Sequence, residues 1–306
     1  DAFDECLGLL LEFVTTPFFT EKEIAKERRV IAQEIGMYQD SPDMKGHLNL
    51  MRCLYTAHPL REDIAGTKES IESIDKPLLE LCHKTFYRPD NMLLVVSGDM
   101  DPQHAYDLAE AGASARKDRY GDLSQMIQRI ESTEGLGLAE TRAEAKMSVA
   151  LPKVLVGYKD DPAAHGLPRL KRARASSFLA ELLFGRASAF FETHCASGLI
   201  DDTFSYSYHA GRSGYAYLVL GGESPDPDGL VAAIDETVEH ARRNGLAEED
   251  FQRLRNKAYG RFLLAFNSVE QVACGEADAT LQGWDLLTYL DLLQSLTLEE
   301  TLERLE

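Results

Sequence analysis

Positive charge is in short supply in this 306-residue chain: 32 Lys and Arg stand against 51 Asp and Glu, a formal net charge of −19. Nucleic-acid binding needs basic surface to neutralise phosphates, so that class of partner is excluded. Long apolar runs are missing too. Leu93–Val96 and Tyr217–Leu220 are strand-sized, and nothing approaches the ~20 residues of a membrane span. Cysteine is sparse: Cys6, Cys53, Cys82, Cys195 and Cys274 are odd in number, far apart and form no Cys-x-x-Cys. That excludes a disulfide framework and a structural zinc site, and the thiols read as reduced core thiols in a cytoplasmic protein. Gly157, Gly221 and Gly222 form no phosphate-cradling pattern.

What is present suits a globular protein of two ordinary domains, with 44% hydrophobic and 27% charged residues. The stretch from Phe18 to Asp43 reads as a helix. Thr20 is its N-cap, Glu23 completes a capping box, and Ile24, Val30, Ile31 and Ile35 recur at helical spacing. Glu27 and Glu34, two turns apart, project from one side about 10.5 Å apart along the axis. At that separation only one of them can ligate a given zinc ion, because Zn–O bonds are about 2 Å long. Taken alone, such a pair is as expected of a solvated helix face.

Downstream come LYTAHPLREDIAGTKESIESID and HKTFYRPDNMLLVVSGDMD, and the second half carries GLIDD followed by F-S-Y (Gly198–Tyr206). With the Glu-x6-Glu helix, these segments resemble the pitrilysin/insulinase family of zinc peptidases, in particular its bacterial cytoplasmic, processing-peptidase-like branch. The resemblance runs from Leu10 to the helical tail. It implies an α+β fold of two repeated halves, each with helices packed on a mostly antiparallel sheet, as in the mitochondrial processing peptidases. Glu34 falls on the family's zinc-ligand position. Glu27 falls on that of the supporting acid, counted with the catalytic groups. In the family two histidines and the general base come from an inverted His-x-x-Glu-His helix, and none of the eight histidines here forms that motif.

The second half repeats the first in pattern: Thr20–Ile35 aligns with Ala247–Phe262 at an offset of 227, and Ser73–Lys84 with Ser295–Glu306 at 222. Glu27 and Glu34 then map onto Leu254 and Arg261, so the fold by itself does not require acids there. A strand pair expected around Lys146–Tyr158 has its first-half counterpart upstream of Asp1. On this reading the first half is truncated by roughly eighty residues, the motif helix among them. The expected division is a first, zinc-bearing half at 1–120, a linker at 121–145 and a second, non-zinc half at 146–306.

Helices are expected over Asp4–Val14, Thr20–Gln39, Met44–Leu54, Thr67–Ile74, Lys76–Thr85, Pro102–Ala115, Pro168–Phe184, Ala187–Ser197, Asp226–Asn244 and Glu248–Phe266, with a helical tail. Strands are expected at Met92–Gly98 and Lys153–Lys159, and a hairpin at Asp202–His209 and Tyr215–Gly221. His58 and Asn91 read as turn residues, His209 as a surface residue, Glu181 as a structural or surface group, and the basic run Arg169–Arg174 as a solvated face. Some family members bind substrate through an Arg…Tyr pair opposite the zinc; Glu192 and Leu199 stand at those positions.

The resulting expectation is the body of a zinc metalloendopeptidase acting on peptides or small unfolded proteins. Zinc belongs to the intact enzyme. This fragment is expected to bind none and to be inactive alone, since one carboxylate cannot hold the metal against water. A second family subunit, identical or different, is the expected partner, because the substrate-binding pair must come from another chain. The competing expectation is a non-catalytic scaffold or partner subunit of a heteromeric processing peptidase.

Overall fold

The computed structural model describes residues 2–114, 134–161, 165–212 and 214–306. Helices α1 to α6 (Phe3–Thr15, Glu21–Gln39, Pro42–Leu54, Lys68–Glu72, Lys76–Phe86 and Pro102–Ser114) come first. Strand β1 (Lys153–Asp160) is followed by α7 (Leu167–Phe184), α8 (Ala189–Ala196) and the hairpin of β2 (Ser205–Gly211) and β3 (Tyr215–Glu223). Helices α9 to α13 (Pro227–Asn244, Glu248–Ala265, Val269–Gln282, Thr288–Ser295 and Leu298–Leu302) complete the order. Local chemistry sets many of these starts. Ser41, Asp75, Ser188, Asp226 and Thr297 each accept the third helical amide into a side-chain oxygen, which satisfies one of the orphan donors of a helix N-terminus.

Two predicted strands need correction. Residues 92–97 join no ladder among the described residues, although Met92 itself is extended at φ −115° and ψ 150°. An apolar β-branched run specifies an extended backbone; a strand exists only through a partner's hydrogen bonds. The strand pair expected around Lys146–Tyr158 is a single strand, β1. Pro152, which has no amide to donate, stands immediately before it. Residues 121–133 of the expected linker lie outside the described residues.

The described residues fall into two compact units. One comprises those within Asp1–Met37, Ile64–Ile130 and Ser268–Leu281. Its buried side chains include Leu7, Ile24, Ile35, Ile71 and Ala105. Helices α1 and α6 meet there through Phe3 and His104, whose ring also bonds Asp4 at 2.8 Å. His83 of α5 reaches the carbonyl of Val14 at 3.2 Å and stacks on Tyr87.

The other unit comprises the described residues of Tyr38–Asp63, Glu131–Asn267 and Gln282–Glu306. Its sheet runs β1-β3-β2, antiparallel throughout. Alternation sends Val154, Val156, Leu218 and Leu220 to one face, where they meet the core of α7, α8 and α9 built on Phe184, Phe190, Leu230 and Ile234. Tyr217 and Val219 point the other way, against Met51, Leu54 and Tyr55. Helix α3 therefore covers the second face of the sheet. Gly157 makes that approach possible, since a Cβ there would sit 2.7 Å from Leu50 Cδ1. A second core joins α7, α10 and α12 through Phe178, Phe251, Leu254 and Leu293. The whole is a helix-rich α+β arrangement with a small antiparallel sheet.

A shared local device appears on α2 and α10. Arg28 donates through Nε and Nη2 to the carbonyl of Ile74, with Nε at 3.0 Å. Arg255 donates through Nη1 to the carbonyls of Gln294 and Leu296 at 3.3 and 3.4 Å. The residues following the Ile74 and Leu296 carbonyls, Asp75 and Thr297, are both N-caps, and the residues one turn before the arginines, Ile24 and Phe251, are both buried.

Candidate functional site

Helix α2 carries the two acids singled out above. Thr20 caps it: its hydroxyl accepts the Glu23 amide at 3.2 Å and donates to the Glu23 carboxylate at 2.7 Å. Ile24 and Ile35 are its buried positions, and Arg28 ties it to Ile74. Against that frame Glu27 is exposed and Glu34 half-buried. Two helical turns keep them about 10.5 Å apart along the axis. Among the described residues no group of three or more His, Cys, Asp or Glu is gathered that could hold a metal ion.

A half-buried cluster of charge lies elsewhere, in the sheet-bearing unit. Asp160, at the end of β1, accepts from Arg172 at 2.7 Å, from the Tyr208 hydroxyl at 2.7 Å and from Arg304 at 2.6 and 2.7 Å. Burial alone would raise its pKa, but those donors outweigh burial and hold the carboxyl below the usual carboxylate range. The basic run that reads as a solvated face is thus largely half-buried and partnered. Arg169 is buried, Arg172 serves Asp160, Lys171 pairs with Glu300, and Arg174 lies over the Tyr289 ring at 5.4 Å. The missed signal is that α7 also carries Leu170, Ala175, Phe178 and Leu179, so apolar residues ring much of it and few directions remain for solvent.

The remaining candidates have structural work. His58 does start a turn, its Nδ1 accepting the Leu60 amide at 3.1 Å, but it is buried between the rings of Tyr55 and Tyr215. Asn91 turns the chain by donating to the Phe86 carbonyl at 2.9 Å. His209 is exposed and stacks on Tyr217. Glu181 pairs with Lys257. Glu192 is exposed, whereas Leu199 packs on the main core.

Two family profiles match the chain: "Insulinase (Peptidase family M16)" over residues 1–68 and "Peptidase M16 inactive domain" over residues 73–258. The chain belongs to peptidase family M16. An uncharacterized zinc protease of Bacillus subtilis, YmfH, is 37% identical to this M16 chain over 295 residues, covering 96% of it and 68% of the relative. The structure of a putative M16-like peptidase from Alicyclobacillus acidocaldarius superposes with a TM-score of 0.85 at 31% identity, covering 100% of this chain and 72% of that one. A probable mitochondrial-processing peptidase subunit beta of Schizosaccharomyces pombe is 28% identical over 110 residues, 36% of this chain and 24% of the relative. The M16 chain thus spans about two thirds of the Bacillus relative's length. Glu27 and Glu34 lie in the segment matching the insulinase profile, and Asp160 and its partners Arg172 and Tyr208 in the segment matching the inactive domain. The described residues do not by themselves make the zinc site that the Bacillus relative's name implies. Two acids spaced two turns apart offer one ligand to a metal that needs three from protein.

Proposed function

We propose that this chain is the body of a zinc metalloendopeptidase acting on peptides or small unfolded proteins, with Glu34 as its contribution to the metal and Glu27 as the acid that supports the site from outside. The reading rests on one observation. Glu34 is half-buried on a capped, anchored helix inside the segment that matches the insulinase profile. The imidazole ligands come from residues outside this chain, so the chain alone is inactive. Residues 1–120 belong to the zinc-bearing half and 146–306 to a second half that repeats it without the metal. The paired arginine anchors on α2 and α10 support that repeat. A second family subunit completes the substrate site, a reading supported by the relative named as a processing-peptidase subunit. A cytoplasmic setting is supported by five free cysteines, although Cys53 alone is buried and the other four are exposed, against the core placement expected of them. No helix among the described residues is long and apolar enough to cross a membrane.

A second reading, a non-catalytic scaffold or partner subunit, is favoured by the inactive-domain match over residues 73–258. Glu34→Gln in the full-length protein separates the two. The enzyme reading expects stoichiometric zinc in the wild type and loss of both zinc and peptide hydrolysis in the variant. Glu27→Gln is expected to weaken zinc binding by about 10–100-fold, as loss of an outer supporting group does. Zinc content and hydrolysis unchanged by Glu34→Gln would remove that residue from the site. A full-length wild type that binds no zinc would leave the scaffold.

A further inference from the structure

Loop 56–58, just past α3, turns three consecutive backbone amides toward a single point. The amides of Thr56, Ala57 and His58 donate to the two carboxylate oxygens of Glu134 at 2.6, 2.9 and 2.8 Å. Lys159 Nζ adds a fourth donor at 2.9 Å and also reaches the Gly137 carbonyl at 2.9 Å. Both ionic side chains are interior, 4% exposed for Lys159 and 9% for Glu134. The ammonium also lies 4.7 Å from the centre of the Tyr55 ring, whose hydroxyl donates to the Ala216 carbonyl at 3.1 Å. Successive amides aimed at one point form a concavity with positive potential, a nest for anions. A buried ammonium beside it makes a negative ligand close to obligatory, because an unpaired interior charge is strongly destabilising.

We propose that the Thr56–His58 amides and Lys159 constitute a carboxylate-binding site, and that Glu134 is its resident ligand, clasping the chain that follows it to the loop after α3. The grip has a second point. The amides of Ala139 and Glu140 both donate to the Cys53 carbonyl, at 2.8 and 3.1 Å. Residues 134–140 are thereby fixed at both ends to the backbone of Cys53–His58, within one compact unit. The site prefers a carboxylate to a neutral amide because the four described contacts are all donors, two to each oxygen, and an amide nitrogen would meet two of them with its hydrogens. This inference does not depend on the zinc reading, since none of its groups is Glu27 or Glu34.

Glu134→Ala in the full-length protein removes a CH2–COO⁻ group, which acetate replaces almost atom for atom. The variant is expected to melt about 5–10 °C below wild type. Acetate, titrated against chloride at constant ionic strength, should restore Tm saturably, as expected when a ligand binds the folded state. Wild type, its site already filled, should not respond, and adding Lys159→Met to Glu134→Ala should abolish the response. A melting point unchanged by Glu134→Ala, or an acetate effect equal in wild type and variant, overturns the proposal. Should Glu134→Ala not fold, Glu134→Gln is followed by hydrogen exchange instead. A tenfold or greater loss of protection at the Thr56, Ala57 and His58 amides supports the site, and unchanged protection refutes it.

Discussion

Some single residues in this chain serve close approach and not chemistry. Gly157, Gly221 and Gly222 show no ligand pattern, and the fold gives the reason: they sit where backbone or helix comes too near for a side chain. Gly221 is the strictest case. It holds φ at +148° near the end of β3, and a Cβ would fall 1.9 Å from the Val154 carbonyl oxygen of β1. Neither the dihedral nor the contact tolerates a methyl group without moving two strands apart. Gly221→Ala is therefore expected to destabilise the protein by about 3 kcal/mol, as strained backbone positions do when filled. Chemical denaturation measures this directly, and Gly36→Ala, with nothing within 4 Å of its added Cβ, is the matched control. A loss below that of the control would show that β1 and β3 yield more readily than their register implies.

Elements were legible where their ends carry chemical marks. Thr20 reads directly as a cap, and its helix starts where expected; Asp75 and Asp226, caps in the structure, stand beside or at the expected starts of theirs. The alternating FSYSYH run likewise gave the hairpin. Residues 92–97 were not legible as they stand, because periodicity reports a backbone shape and not the presence of a neighbour. The arginine anchors could not be read either, since a hydrogen bond to a carbonyl some forty residues away leaves no local trace. They do make a testable claim about α2 and α10. Each guanidinium satisfies a carbonyl that directly precedes a helix cap, joining the middle of one helix to the start of another. Arg28→Ala and Arg255→Ala are each expected to cost about 1.5–3 kcal/mol, the range for hydrogen bonds from charged donors. Arg→Lys should recover only part, since one ammonium cannot reproduce the planar fork. Equal unfolding midpoints for wild type and the alanine variants would show the anchors to be incidental.

At the scale of the molecule, the family and the two-acid helix were legible because motif order survives in sequence. The buried carboxylate centres were not, because Glu134 and Asp160 find their partners only after folding brings distant segments together. These two centres make the whole protein sensitive to acid. For Glu134, burial opposes ionisation, but the amides of Thr56, Ala57 and His58 with Lys159 outweigh it and hold its pKa far below the ordinary value. Asp160 is depressed in the same sense by Arg172, Tyr208 and Arg304. A carboxyl whose folded pKa lies below its unfolded value of about 4 binds fewer protons in the folded state. Its stabilising contribution is therefore complete above about pH 5 and is lost as pH falls through 4 toward the folded pKa. The denaturation midpoint should be nearly flat from pH 6 to 8 and fall steeply below about pH 5. Glu134→Gln and Asp160→Asn should each be less stable at pH 7, because each leaves buried cations uncompensated. Each should also show a shallower decline below pH 5, having one fewer proton to take up on unfolding. A decline as steep in both variants as in wild type would assign the acid sensitivity to other carboxylates, and would mean that neither buried centre keeps its charge as the geometry requires.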